Sequence, residues 1–373
     1  MDAQALKDSW RLVAQSGDQV PLFFYSALFL MNPETRDLFP VSMARQRDRL
    51  VGALGHVVSN VDRVEEVVPF LEQLGRDHRK FAVVADHYPA VGRALLATLE
   101  HFLGERWTPA LAEDWTQAYG LVARVMSDAA ADASKSVPPW WEGEIIGHET
   151  RALGIAVIRA RLNYQYAYRP GQSASISHPM RPRVWRFYSF ANAPRQDNTV
   201  DLHVRMVDGG VLSAALVMGA RRGDVLRVGA PVGDRLTLPA DITGDLLLIA
   251  GGTGLAPLKA LVEQVVYEGP SRKVDLVVGA RTSRELYDLE ALSKLAAEHP
   301  WLTVIPAVSN DPYYRGTRGN AVDVALQAWR GQRVFVCGSE EMAQGTVGRL
   351  LDAGVPSEQI HFDEFTSDKG GES

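Results

Sequence analysis

Hydrophobic side chains recur at helical spacing throughout the first 135 residues. Three groups show this best: Leu6, Trp10 and Val13; Leu50, Leu54, Val57 and Val61; and Leu111, Trp115, Ala118, Val122 and Val125. Intervals of three and four residues place each group on one face of an amphipathic helix. The alternation typical of strands does not interrupt this region. The pattern therefore predicts an all-helical domain.

The helical pattern stops at residues 137–141, which read Val-Pro-Pro-Trp-Trp. Two prolines predict a linker here, with the two tryptophans packing it against a neighbouring domain. Short segments rich in β-branched residues follow, bounded by glycine and proline: 155–158, 173–176, 200–204 and 224–228. Strands at this spacing predict a small antiparallel barrel from about residue 142 to 243.

Apolar strand candidates then alternate with helical stretches. The strands are predicted at 246–250, 274–278, 303–306 and 334–336, and helices at 257–268 and 340–353. This alternation is typical of a doubly wound α/β domain. We therefore predict three domains: all-α over 1–136, linker and antiparallel β-barrel over 137–243, and α/β over 244–373. The polar residues 366–373 are predicted to be loosely held.

Composition restricts the class of protein. Hydrophobic residues make up 46% of the chain and charged residues 23%, and the net charge is −6. Such a charge does not favour binding to nucleic acid or to an anionic membrane. The single cysteine, Cys337, excludes a disulfide framework and fits a reducing cytoplasm. Without a signal peptide or a long apolar run, we predict a cytoplasmic protein with no membrane insertion and no obligate protein partner.

A glycine-rich turn, Gly252-Thr253-Gly254, follows an apolar strand and opens a helix that contains Pro257. Glycine lets the backbone approach a ligand closely, and a helix N-terminus favours negative charge. The lysine of a phosphate-cradling P-loop is missing, which argues against nucleotide hydrolysis.

Two further segments could hold a flat, phosphate-bearing cofactor. Arg186-Phe187-Tyr188-Ser189 combines a pyrophosphate-binding guanidinium, a ring that can stack and a hydroxyl. Gly210 and Ser213 precede an apolar helix whose start could bind an anion. Taken alone, either segment could be a loop without a binding role. Their order, on a barrel followed by an α/β domain, favours a cofactor site.

These motifs resemble the oxygenase-reductase branch of the ferredoxin–NADP reductase superfamily. The resemblance covers residues of about 150 to 365 and rests on Pro170-Gly171-Gln172, Arg186-x-Tyr188-Ser189, Gly210-x-x-Ser213, Gly252-Thr253-Gly254-x-x-Pro257, Cys337-Gly338 and Phe365. It implies that Arg186, Phe187, Tyr188, Ser189, Gly210 and Ser213 bind FAD. It also implies a dinucleotide at Gly252, Thr253, Gly254 and Pro257, with Cys337 and Gly338 near hydride transfer and Glu364 and Phe365 near the outer flavin face.

The chain departs from that family at two positions. Ser173 replaces an aromatic residue that often follows the Gly-Gln pair, and Ser339 replaces a proline after Cys337-Gly338. The choice of coenzyme stays open, because Arg281 and Arg284 could grip a 2′-phosphate. The resemblance favours NADH over NADPH.

The helical half has four histidines, His56, His78, His87 and His101, and composition does not select among them. Residues 23–33, continuing to Phe39, resemble the B helix and CD corner of a globin. Gln46-Arg47 with Leu50 resembles the distal helix, and residues 74–78 with Tyr88 resemble the proximal region of flavohaemoglobins. The two halves together resemble a flavohaemoglobin over nearly the whole chain.

The resemblance implies a role for each of these side chains. His78 is expected to bind the iron of haem b, with Phe39 packed on the porphyrin. Tyr25 is expected to donate a hydrogen bond to dioxygen in a distal pocket that Gln46 and Leu50 line. Tyr88 matches a tyrosine that supports the proximal histidine.

One departure concerns the proximal side. The glutamate that completes this support in many flavohaemoglobins aligns with Ala130. Asp128 and Asp132 lie two residues away, where a helix turns the side chain aside. The electron push of the proximal histidine is therefore expected to be weaker.

The implied function is an NAD(P)H-dependent nitric oxide dioxygenase that uses FAD and haem, with dioxygen, nitric oxide and NAD(P)H as its small-molecule partners. Ala130 leaves open a haem–flavin oxidase, a peroxide reductase or a biosynthetic haem enzyme of the same fold. A haem-based gas or redox sensor is a further alternative, although the sequence shows no appended output domain.

Overall fold

A computed structural model describes residues 1–239, 242, 244–269 and 272–365, apart from the side chains of Arg45, Glu364 and Phe365. The chain forms two compact units, the first over residues 1–140 and the second from Trp141 onward. The last eight residues, for which we predict loose attachment, lie outside the described part. Within that part, no helix has the length and apolar character needed to cross a membrane.

The first unit is all-helical, as predicted. Its helices are α1 (Ala3–Ala14), α2 (Gln19–Met31), α3 (Ala44–Ser59), α4 (Val64–His78), α5 (Tyr88–Leu103) and α6 (Pro109–Ser134), with 3₁₀ turns at Pro33–Leu38, Arg79–Phe81, Ala85–His87 and Gly104–Arg106. Side-chain caps fix two of the helix starts. Asp2 accepts hydrogen bonds from the backbone of Gln4 and Ala5, and Thr108 accepts one from Leu111. The apolar spacing predicted that Val61 belongs to the same helix as Leu50, but α3 ends at Ser59, so Val61 lies outside it.

The apolar faces of these helices pack into one main cluster that includes Leu6, Phe24, Leu28, Leu99 and Trp115. Helices α4 and α6 approach each other closely at Gly75, where a Cβ would lie 2.3 Å from the carbonyl oxygen of Met126. A side chain at residue 75 would push α4 and α6 apart. This crossing lies one turn before His78 and fixes that end of α4.

The second unit begins with an antiparallel sheet. Its strands are β1 (Trp141–Ala152), β2 (Ile155–Leu162), β3 (Ser173–Ser177), β4 (Arg186–Ser189), β5 (Thr199–Arg205) and β6 (Val225–Val232), in the order β4-β3-β6-β1-β2-β5. A bridge between Phe190 and Leu202 joins the end of β4 to β5, so the sheet closes on itself. Its interior is filled by apolar side chains, among them Ile145, Ile158, Ile176 and Phe190. This confirms the predicted barrel.

One local prediction was wrong. Trp141 does not belong to a linker: it is the first residue of β1, and its ring packs against Tyr166 inside the barrel. The helix expected after Gly210 is present as α7 (Val211–Ala214), and it continues as a π turn over Ala215–Gly219.

The chain continues as an α/β sandwich. Strands β7 (Leu246–Gly251), β8 (Val274–Ala280), β9 (Leu302–Val308), β10 (Arg333–Ser339) and β11 (Ile360–Phe365) form a parallel sheet in the order β11-β10-β7-β8-β9, with helices α8 (Leu255–Glu268), α9 (Leu289–Glu298), α10 (Ala321–Ala328) and α11 (Glu340–Asp352). The strand order reverses between β7 and β10. Ligands of such sheets bind at the carboxyl edge, at this switch point.

Candidate functional site

Tyr25 lies in the core of the helical unit, on α2. Its side chain is 8% exposed, and its ring packs edge-on against Phe39 with the centroids 5.4 Å apart. The hydroxyl donates a hydrogen bond to the backbone carbonyl oxygen of Gln46, at 3.2 Å. Burial raises the pKa of Tyr25 far above its ordinary value, so the phenol keeps its proton. Leu50, one turn after Gln46, packs into the same cluster.

His78 is the last residue of α4. Its Nδ1 lies 2.7 Å from the carbonyl oxygen of Leu74, one turn earlier. A carbonyl can only accept, so Nδ1 carries the hydrogen and Nε2 keeps its lone pair. Burial lowers the pKa of His78, which favours the neutral imidazole. A neutral histidine with a free Nε2 lone pair is the ligand that haem iron takes in globins, so the residue fits the predicted role.

Tyr88 begins α5 and contacts α6 in two places. Its backbone carbonyl accepts a hydrogen bond of 2.6 Å from the Tyr119 hydroxyl. Burial also raises the pKa of Tyr88, and the Ser127 side chain offsets part of that rise. Sequence reasoning missed Ser127. It lies three residues before Ala130 on the same helix, so it shares the helix face that the alignment identified.

The segment expected to hold FAD forms strand β4. Tyr188 is partly buried against the barrel core, and Ser189 is buried. Alternation along the strand places Phe187 on the opposite face from Arg186 and Tyr188, and Phe187 is 59% exposed. The structure therefore groups Arg186 with Tyr188 and separates Phe187 from them.

Ser213 closes the loop that precedes α7. Its hydroxyl accepts a hydrogen bond from the Val207 amide at 3.3 Å and donates one to the Gly210 carbonyl at 3.0 Å. A Cβ at Gly210 would lie 2.4 Å from the Ser213 Oγ, so glycine is required for this closure. In this arrangement Ser213 shapes the loop through its hydroxyl.

The glycine-rich turn and Cys337 meet at the switch point. Residues Gly252–Gly254 follow β7 as a 3₁₀ turn, and α8 starts directly after them with Pro257 in its first turn. A Cβ at Gly254 would lie 2.2 Å from the carbonyl oxygen of Cys337 on the adjacent β10. Only glycine allows this contact, which leaves backbone amides at the carboxyl edge of the sheet for a dinucleotide.

Cys337 is fully buried, and burial raises the pKa of its thiol. Gly338 follows it, in register with Glu364 on β11, and Ser339 is in register with Phe365. The backbones of Glu364 and Phe365 therefore lie beside the switch point. The side chains expected near the flavin are outside the described part.

Arg205 is a second residue that sequence reasoning missed. It ends β5, and its Nη1 lies 3.1 Å from where a Cβ of Gly252 would be. A guanidinium beside this turn has the charge and geometry to pair with a pyrophosphate. Asp201, His203 and Arg205 occupy every second position of β5, so their side chains lie on the same face of the strand. A polar strand face would ordinarily be predicted to face water.

Acidic groups occupy the neighbouring loops of the carboxyl edge. After β8, the amide and hydroxyl of Ser283 donate to the Asp311 carboxylate, at 3.2 and 2.7 Å. The Arg281 side chain pairs with Glu285, 3.4 Å away, and the Arg205 guanidinium lies 3.6 Å from the same carboxylate. One of the two arginines considered for a 2′-phosphate is thus already paired.

Comparison with known proteins agrees with this arrangement. Residues 22–126 match the Globin family, residues 141–235 the oxidoreductase FAD-binding domain, and residues 248–348 the oxidoreductase NAD-binding domain. The chain is 30% identical to the ferredoxin–NAD(P)(+) reductase component of the naphthalene 1,2-dioxygenase system of Pseudomonas putida, over 60% of this chain and 68% of that protein. It is 24% identical to a flavohemoprotein of Bacillus subtilis, over 97% of this chain and 96% of the relative.

Two solved structures share the fold. A flavohemoglobin from Malassezia yamatoensis, with bound FAD and heme, superposes with a TM-score of 0.72 at 19% identity and covers 97% of this chain and 98% of its own. The FAD/NAD-binding domain of a nitric oxide dioxygenase from Vibrio cholerae superposes with a TM-score of 0.54 at 18% identity, over 60% of this chain and 98% of its own.

Fold and family matches together define an oxidoreductase architecture in which a globin domain precedes FAD-binding and NAD-binding domains. The chain shares this domain order with flavohaemoglobins and is similar to them over nearly its whole length. This confirms the resemblance found in the sequence.

Proposed function

We propose that the protein is an NADH-dependent nitric oxide dioxygenase of the cytoplasm. Two molecules each of nitric oxide and dioxygen take two electrons from one NADH and give two nitrate ions, one NAD⁺ and one proton. The observation that carries the proposal is the pairing of His78 Nδ1 with the Leu74 carbonyl, in a chain whose second unit is an FAD- and NAD-binding oxidoreductase. The three domain ranges predicted from the sequence, 1–136, 137–243 and 244–373, are part of the proposal.

When bound, FAD divides the hydride pair into single electrons, and haem b supplies the iron at which dioxygen and nitric oxide react. The protein holds and shields these groups. His78 offers Nε2 as ligand, and Phe39 beside Tyr25 gives the porphyrin an apolar wall. Arg186 and Tyr188 share the face of β4 that we assign to FAD, with Gly210 and Ser213 as surrounding contacts, whereas Phe187 lies on the other face.

Tyr25 controls the polarity of the distal side. Its phenol is protonated, and its hydrogen is directed to the Gln46 carbonyl. Rotation about its C–O bond can redirect the hydroxyl hydrogen of Tyr25 while the ring stays held by its aromatic neighbours. Tyr25 could therefore donate to dioxygen in this pocket in place of the Gln46 carbonyl, because exchange of one acceptor for another costs little.

The loops after β8 and β9 favour NADH. A dinucleotide whose pyrophosphate lies at Gly252–Gly254 reaches these loops with its adenosine ribose. Asp311 and Glu285 are carboxylates that would repel a 2′-phosphate, whereas a free 2′-hydroxyl could donate to either one. Arg281 is already paired with Glu285.

The test is nitric oxide consumption by the full chain, loaded with FAD and haem, in air with NADH. About two nitrate ions per NADH would support the proposal, because a two-electron donor then serves a one-electron step. Steady NADH oxidation without nitrate would overturn it and favour the oxidase alternative. That alternative draws on Ala130, which stands where many flavohaemoglobins have the supporting glutamate.

A further inference from the structure

Strand β5 turns a polar face toward the α/β domain, and that face is buried. Asp201 and His203 are each only 4% exposed, although both alternate with apolar residues that fill the barrel. His203 pairs with Tyr287, in the segment before α9, and Arg195 links Asp201 to Glu263 of α8. Buried polar groups need specific partners, so this surface permits few alternative arrangements of the barrel on the sheet.

The first contact centres on Asp288, whose side chain is wholly buried. Lys259 of α8 donates to one carboxylate oxygen at 2.7 Å, and Arg151 of β1 donates to the other at 3.1 Å. One buried carboxylate thus receives a cation from each domain. Removal of its charge would leave two cations facing a neutral group, which is costly at low dielectric.

The second contact lies one turn further along α8, at Glu263. Arg195 bridges Glu263 and Asp201, at 3.2 and 3.0 Å, and the Ala193 amide donates to Glu263. Arg159 donates to the other side of Asp201 at 2.7 Å. Two successive turns of α8 are therefore fixed to the barrel.

Between these two contacts, His203 and Tyr287 form a neutral pair. His203 Nδ1 lies 2.7 Å from the Tyr287 hydroxyl. Within the described chain, His203 Nε2 is buried without a hydrogen-bond partner. An orphaned buried nitrogen is a cost that a purely stabilising contact would avoid.

We call these three contacts, at Asp288, at Glu263 and at the His203–Tyr287 pair, the joint between the barrel and the α/β domain. The joint is important because α8 begins at the glycine-rich turn. FAD is assigned to the barrel and the dinucleotide to that turn, so the joint sets the separation of hydride donor and acceptor. We infer that Asp288, together with the His203–Tyr287 pair, is a positioning group for hydride transfer from NAD(P)H to FAD. The inference rests on the proposed binding of both groups in this unit. It concerns a step that needs neither haem nor nitric oxide.

The test replaces Asp288→Asn in the full chain loaded with FAD. Flavin reduction by NADH is followed anaerobically by stopped-flow absorbance. We expect the limiting rate to fall about tenfold to a hundredfold, the order expected for a misplacement of about 1 Å. The NADH concentration for half-maximal rate should change little, and the deuterium isotope effect with NADH labelled at C4 should rise.

Glu290→Gln is the matched control, because Glu290 pairs with Lys294 at 2.7 Å in an exposed position on α9. If Asp288→Asn fails to retain FAD, Tyr287→Phe removes only the hydroxyl and should still slow flavin reduction several-fold. Unchanged limiting rates in the folded, FAD-loaded variants would overturn the inference. So would equal slowing by Glu290→Gln. Normal flavin reduction by wild type without nitrate formation would instead contradict only the proposed dioxygenase activity.

Discussion

The Nδ1 atom of His78 and the carbonyl oxygen of Leu74 lie 2.7 Å apart, one helical turn from each other. This contact selects the tautomer of the imidazole and sets the direction of Nε2. The contact thus orients the proposed iron ligand at the last residue of α4.

Replacement His78→Ala should abolish haem ligation and leave the flavin unit intact. Iron would lose its protein ligand, whereas the second unit folds around its own cores. Haem retention and the Soret spectrum report the first effect, and NADH–ferricyanide reductase activity reports the second. Imidazole added to the variant should restore a six- or five-coordinate spectrum. A normal globin spectrum without added imidazole would contradict the ligand assignment.

Replacement Tyr25→Phe should speed dioxygen release about fivefold. Loss of one hydrogen bond corresponds to roughly 1 kcal/mol. The ring and its contacts with Phe39 are kept, so folding should be little affected. The dissociation rate is measured by stopped-flow displacement of dioxygen with carbon monoxide. Phe29→Leu, which changes the same aromatic cluster without a hydroxyl, is the control, and an equal effect there would refute the role of the hydroxyl.

Replacement Asp311→Asn should raise the use of NADPH relative to NADH about tenfold. The carboxylate that opposes a 2′-phosphate would be neutral, while the amide could still accept from Ser283. The ratio of kcat/KM for the two coenzymes, measured as ferricyanide reduction, checks this. Asp323→Asn, on α10 and paired with Arg349, changes the same charge away from the edge. An equal shift in that control would show a general charge effect.

The second unit should lose stability as pH falls below about 6.5. Burial lowers the pKa of His203 to about 3, so the folded state holds it neutral while the unfolded chain takes up a proton. Its contribution is fully present above pH 6.5 and declines towards pH 3, by at most ~1.4 kcal/mol per pH unit. Urea unfolding at pH 7.5 and 5.5, followed by flavin fluorescence, measures the difference.

His203→Asn should reduce this difference between the two pH values, because asparagine can pair with Tyr287 and does not titrate. His299→Asn, in the same unit beside Trp301, should leave it unchanged. If the free energy of unfolding of His203→Asn differs between the two pH values as much as that of the wild type, groups other than His203 cause the pH dependence.

Several elements could be predicted because each depends on neighbours in sequence. The apolar run at 246–250 and the glycines after it gave β7 and its turn, and the periodicity from Leu111 to Val125 gave most of α6. The partner of Tyr88 could not be found in this way. The resemblance pointed to Ala130, whereas the hydroxyl that lowers the pKa of Tyr88 belongs to Ser127, three residues earlier on α6.

By itself, the sequence determined the order of the all-α, β-barrel and α/β regions, the glycine-rich turn and the residues that resemble a haem and a flavin site. Those features are local, because periodicity and backbone freedom act over a few residues. Tertiary structure decided that the polar face of β5 is buried and that Asp288 receives Lys259 and Arg151. Alternation along a strand fixes that it has two faces. Which of them meets water depends on what the rest of the chain packs against it.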